Sequence, residues 1–378
     1  MNFGIAYGIV LILSLIIVRF GSTQYTKPLF LFTDFLIALP AFFIKISPFI
    51  YWDTNRFSDL LNIIRSYNEG GIGSGLNWTL HYSIYSSQPL VAIYIWLFSL
   101  FRQDGVFFFA TAFFFLISIS LMLLKIMKYF NVNKNTAIIV QTIILMIFNL
   151  FYEIEGVRNF LSFGIFSTAL FIDFHTKEKK WKVLCFFFYL IAYMFHPAVL
   201  PFIFFRIVLL LKNKLFFFIV ALLSLIYTPF LNVLIPIFQK IGFEDKAQVY
   251  LYGQSNYNSF TSSAELIVTS LILISLIIEL VLFTDFKLSK YLSKNYYRFY
   301  IIAILFTLGS FLSAQIYLRS IILILFLSAP IKSIMFSDLV NNGTSNYTIV
   351  NLYKIVIFLF AIFMFICWYD WTYCKVFL

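Results

Sequence analysis

Arg158 stands in the stretch FYEIEGVRNFL (151–161), between the apolar runs IIVQTIILMIFNL and SFGIFSTALFI. A guanidinium there stays charged when partly desolvated and takes two phosphate oxygens at once. Two further groups are set in apolar surroundings: His196 in AYMFHPAVLPF and Arg319 in SAQIYLRSIILIL. Ionisable groups at membrane depth are costly and mark function. Two arginines at one depth suit a phosphate-bearing ligand such as a lipid-linked diphosphate. The ordinary alternatives are an Arg158 that snorkels or pairs with Glu155, and a His196 that serves the turn before Pro197.

The elements that carry these residues are membrane helices. Of 378 residues, 62% are hydrophobic and only 11% charged. About 20 apolar residues cross a bilayer core, and only helices or closed barrels satisfy their backbone groups there. The runs lack the alternation of barrel strands. An all-α, polytopic bundle forming one integral membrane domain over 1–378 is therefore expected. The formal net charge of +11 collects in short loops, such as Lys125/Lys128/Lys134 and Lys177/Lys179/Lys180/Lys182, as it does on the cytoplasmic side of membrane proteins. The basic excess thus reports topology and not a nucleic-acid partner. Cys185, Cys367 and Cys374 have neither metal-site nor disulfide spacing. The first apolar run lacks a basic leader and reads as a retained helix.

With basic loops inside, spans are expected near 3–18, 29–48, 106–124, 136–152, 159–174, 183–195, 197–211, 215–235, 265–284, 299–316, 320–336 and 351–369. That makes about twelve crossings, within a range of about eleven to thirteen. The run 89–101 is too short to cross and reads as re-entrant or interfacial. Outer loops fall at 50–88 and 236–264, and EGGIGSG (69–75) is their most flexible stretch.

On this map the unusual ionisable groups share the outer side. Arg158 opens one helix, Arg319 opens another, and His196 marks an outer turn. Asp53 and Arg56 lie in the first outer loop and Lys246 in the second. Tyr51, Trp52, Tyr67, Trp78 and Tyr82 suit either sugar stacking or an interfacial belt. Inner-side cations read as loop residues, which weighs against a flippase with cations along a central path. No GxSxG, Walker or HExxH motif is present. His81, His175 and His196 are too scattered for a metal site, and no cofactor is expected.

In their order along the chain, DTNRF (53–57), GVRNFLSFG (156–164), IAYMFHPAV (191–199), KAQVYLYG (246–253) and YLRSIILIL (317–325) resemble elements of the EpsG/Wzy-type polysaccharide polymerases of bacterial surface-glycan assembly. Phe57 departs from that pattern, which has Tyr there. The resemblance implies a multi-pass protein of the bacterial inner membrane, with a GT-C-like membrane glycosyltransferase architecture. It implies transfer of a growing glycan from undecaprenyl diphosphate to a new lipid-linked repeat on the periplasmic face. Arg158 and Arg319 would take the donor diphosphate, His196 or Glu155 would act as base, and Asp53, Arg56, Lys246 and Tyr250 would contact glycan. The implied partners are the undecaprenyl-diphosphate-linked oligosaccharide, membrane lipid, and a flippase and chain-length regulator of the same pathway. An O-antigen ligase and a lipid-linked oligosaccharide flippase are the alternatives.

Overall fold

The structure, a computed structural model, describes residues 2–44, 53–148, 150, 156–211, 213–227, 262–337 and 347–371. Among them the chain is helical throughout and forms no strand. The helices are α1 (Phe3–Phe20), α2 (Thr26–Phe42), α3 (Asp53–Glu69), α4 (Ile72–His81), α5 (Pro89–Ser99), α6 (Gly105–Phe130), α7 (Lys134–Ile147), α8 (Val157–His175) and α9 (Lys179–Phe195). They continue with α10 (Leu200–Val208), α11 (Lys214–Ile226), α12 (Ser263–Asp285), α13 (Lys294–Gly309), α14 (Ala314–Leu327), α15 (Ala329–Phe336) and α16 (Tyr347–Trp371).

Six helical stretches are long and apolar enough to cross a membrane: α1, α6, α8, α12, the α14–α15 pair and α16. Outward faces are apolar as well, with Ile12, Val183 and Leu215 exposed by 59%, 71% and 68%, a surface made for lipid and not for water. The chain is an all-helical membrane protein. Three more helices, α2, α9 and α13, have 17, 17 and 16 residues. By contrast α5 has 11 residues, about 16 Å of helix, roughly half a bilayer core.

By internal packing the helices divide into two compact units, α1–α9 with α16 and α10–α15. In the first, α1, α7 and α16 are tied by side chains that reach carbonyls left over at helix ends. Lys134 Nζ donates to Val18 O at 2.8 Å and also to Gly21 O. Tyr7 OH donates to Leu145 O at 3.0 Å, and Trp368 Nε1 to Ile147 O at 2.8 Å. Phe35 of α2 packs edge-on against Phe109 and Phe113 of α6. Phe115, Phe148 and Phe160 form one aromatic cluster beneath the first turns of α8.

The segment 53–81, expected as an outer loop, is instead a helical pair. In α3 the residues Phe57, Leu60, Leu61 and Ile64 are buried at the i, i+3, i+4, i+7 spacing of one helical face. Its polar side is tied down too: Arg65 pairs with Asp104 at 2.7 Å and Asn68 Nδ2 donates to Ser99 Oγ at 3.1 Å. Within EGGIGSG only Gly70 and Gly71 form the turn, Gly71 with φ of 120°, a conformation that side chains resist. From Ile72 the chain is helical again. The stretch is a hinge of two residues between packed helices.

The second unit corrects two further expectations. Apolar length alone ran the span 299–316 past its end: α13 stops at Gly309, and α14 starts at Ala314. Arg319 is therefore more than a turn inside its helix rather than at its start. The expectation that inner-side cations are loop residues also fails. Arg206 lies inside α10 and is 5% exposed, and Lys332 lies inside α15 with no exposure. Lys332 Nζ donates to Glu279 Oε2 of α12, which is likewise fully buried. A charge survives at such a position only with a partner.

Candidate functional site: two arginines on one tyrosine

Tyr85 precedes α5 and is 3% exposed. Phe57 of α3 stacks on its ring with centroids 6.0 Å apart, which fixes the ring against α3. Arg56, one residue earlier on α3, donates from Nη2 to Tyr85 OH at 3.2 Å. Arg158, the second residue of α8, holds its guanidinium carbon 4.8 Å from the centroid of the same ring and donates from Nη1 to Gln88 Oε1 at 3.1 Å. One aromatic side chain thus receives a hydrogen bond at its hydroxyl from one arginine and a cation–π contact at its ring from another. Both guanidiniums are partly buried. Arginine is suited to phosphate or carboxylate.

His196 belongs to the same unit, at the end of α9. Its backbone N–H closes the helix onto Ala192 O, and Ser162, one turn beyond Arg158 on α8, donates to Ala192 O at 2.8 Å and toward His196 O at 3.5 Å. The imidazole is 4% exposed. Its Nδ1 accepts from the Ala198 N–H at 3.0 Å, so the ring hydrogen sits on Nε2. In this arrangement the ring presents a donor, and the lone pair a general base needs is engaged in the turn. Phe195, beside it, packs edge-on against Tyr94 of α5.

Comparison with protein-family models, with curated proteins and with solved structures finds no match.

Of the other expected residues, Asp53 is the first residue of α3. Arg319 is half-buried on α14, in the second unit. Glu155, Lys246 and Tyr250 lie outside the described residues. Among the described residues no three His, Cys, Asp or Glu side chains gather as metal ligands.

Tyr85 and Gln88 were not singled out by sequence. Nothing distinguishes them in HYSIYSSQP, and only the burial of Tyr85 between α3 and α8 makes them central. Asp34, Gln141, Arg206, Glu279 and Lys332 are buried as well, and hydropathy averaged over an apolar run hides each of them.

Proposed function

We propose that the chain is a membrane glycosyltransferase that polymerises lipid-linked oligosaccharide repeats, the growing glycan leaving undecaprenyl diphosphate for the terminal sugar of a new repeat. The observation that carries this reading is the meeting of Arg56 and Arg158 on Tyr85. It lies at the end of the first unit away from the basic loops, and by the positive-inside rule that end is the periplasmic one. A lipid-linked diphosphate carries its charge at that depth.

In the reaction, the bond between the anomeric carbon and the diphosphate oxygen breaks and a bond from the acceptor hydroxyl oxygen forms. The hydroxyl proton passes to a base and undecaprenyl diphosphate departs with the electron pair. Arg158 and Arg56 stabilise the charge that grows on the leaving diphosphate, as preorganised cations do. His196, with Nε2–H as donor, orients the acceptor, which leaves Glu155 as the base. Asp53, Lys246 and Tyr250 remain glycan contacts by the resemblance alone. The role of Arg319 at the diphosphate rests on sequence, and its own substitution tests it.

The deciding experiment is a glycan ladder from a deletion strain complemented with wild type, Arg158→Lys, Arg56→Ala or Arg319→Lys. Core plus a single repeat in the deletion strain supports a polymerase, and single-repeat bands in the variants support their roles at the diphosphate. Loss of even that repeat from the surface rejects the reading. A flippase is the second reading, favoured by one observation: the buried Glu279–Lys332 pair puts charge inside a helix bundle, as a transport path requires.

A further inference from the structure

Four helices of the first unit bring polar side chains to one level, apart from the site above. Asp34 is the middle residue of the 17-residue helix α2. It lies about 12 Å from the helix end nearest the basic loops, counting 1.5 Å per residue. By the same count Gln141 of α7, Ser120 of α6 and Ser14 of α1 lie about 9–15 Å from the corresponding ends. Asp34, Gln141 and Ser14 have no exposure and Ser120 has 1%.

Gln141 has two N–H groups and both are spent: Nε2 donates to Asp34 Oδ1 at 2.8 Å and to Ser120 Oγ at 3.2 Å. Two buried acceptors then remain without a donor among the described residues, Asp34 Oδ2 and Gln141 Oε1, and Ser14 Oγ is also without a partner. An ionised Asp34 would hold a full charge in the middle of an apolar bundle. The titratable groups on the elements packed against it are Tyr7 and Arg19 on α1, Tyr25 in the turn before α2, Lys125, Lys128 and Tyr129 on α6, Lys134 on α7 and Lys27 on α2 itself. Tyr7, Lys125 and Lys134 are engaged elsewhere, at Leu145 O, over the Trp181 ring and at Val18 O, and Asp34 Oδ2 receives no hydrogen bond among the described residues. Burying an unpaired carboxylate is among the costliest arrangements in a protein.

We propose that Asp34 is a proton-binding site: Oδ2 carries a hydrogen and donates it to Gln141 Oε1, closing a two-bond acid–amide ring between α2 and α7. One proton satisfies both leftover acceptors and removes the charge. Loss of the proton sets the carboxylate oxygen against the amide oxygen, turning the tie between α2 and α7 into a repulsion. Gln141 must then turn or the helices must part, and Ser120 loses its donor. Proton occupancy at Asp34 is thereby coupled to the packing of three helices. This holds whichever reaction the outer site performs.

The test is infrared spectroscopy of the purified full chain in lipid nanodiscs. At neutral pH, wild type is expected to show a protonated-carboxyl C=O band that shifts on 13C-aspartate labelling and is lost in Asp34→Asn. Gln141→Leu is expected to move that band upward, as the carbonyl loses its N–H donor. Should Asp34→Asn fail to fold, the isotope shift and the Gln141→Leu displacement assign the band on their own. Absence of the band, with Asp34 appearing only as carboxylate, overturns the proposal. Replacing potassium by sodium at fixed pH is expected to change nothing, and conversion of the acid band to a carboxylate band by sodium would overturn it in favour of a cation site.

Discussion

Lys332 of α15 and Glu279 of α12 form an ion pair in which neither side chain is exposed at all. In the same unit the hydroxyls of Tyr300 and Ser333 are buried without a partner among the described residues. The charges were taken out of water together, and their attraction offsets the desolvation only while both are present.

Removing one partner is therefore worse than removing both. Lys332→Met is expected to lower stability by about 3–5 kcal/mol, whereas Glu279→Gln combined with Lys332→Met recovers most of that loss. Thermal unfolding of the purified protein, followed by fluorescence-detected size exclusion, checks the order. Equal melting of the single and double variants would mean that the two charges are not coupled.

Tyr85 separates the contributions of the two arginines. Tyr85→Phe deletes the hydroxyl that accepts from Arg56 and keeps the ring beneath Arg158, whereas Tyr85→Ala deletes both. A lost hydrogen bond to a charged group costs about 1.5–3 kcal/mol, and the cation–π contact adds about 0.5–2. Shorter glycan chains are expected from Tyr85→Phe and a single repeat from Tyr85→Ala. Full-length polymer from Tyr85→Ala would remove this tyrosine from the site.

His196 is tested by a residue that reproduces its turn bond without its ring. The Oδ1 of an asparagine can accept from Ala198 N–H much as Nδ1 does, so His196→Asn is expected to fold like wild type, while His196→Ala loses about 1 kcal/mol of capping. If Nε2–H orients the acceptor, both variants shorten the glycan. Normal glycan from His196→Asn together with a lower melting temperature for His196→Ala would confine the residue to the turn.

Gly309 closes α13 against α11 with no room for a side chain. A Cβ there would run into Ser224 O and stand 2.6 Å from Leu225 O, both backbone atoms that cannot swing away. Gly309→Ala is expected to cost about 1–3 kcal/mol, the range for overpacking, read as a drop in melting temperature. An unchanged melting temperature would show that α11 and α13 separate freely.

Much of this architecture is legible in the sequence because hydropathy over about 20 residues is a strong signal. The expected spans overlap α1, α6, α8, α12 and α16, and Arg158 and His196 stand out for interrupting such runs. Single polar residues inside a run are averaged away by the same signal, which is why Asp34, Glu279 and Lys332 were missed. The helices of 53–81 were missed for the opposite reason. Low hydropathy read as loop, although Phe57, Leu60, Leu61 and Ile64 already spelled an amphipathic helix. Tyr85 had no signal, since its importance comes from what packs on it.

Trp368 reaches back from α16 to the carbonyl of Ile147, and that bond bears on how the protein is made. The first unit is assembled from the earliest helices and the latest described one, with the whole second unit translated between them. While α10–α15 emerge from the ribosome, the face of α1 and α7 that α16 will cover meets lipid or an insertion factor. Biogenesis cannot run strictly from first helix to last: the first unit stays unfinished until the second has been synthesised.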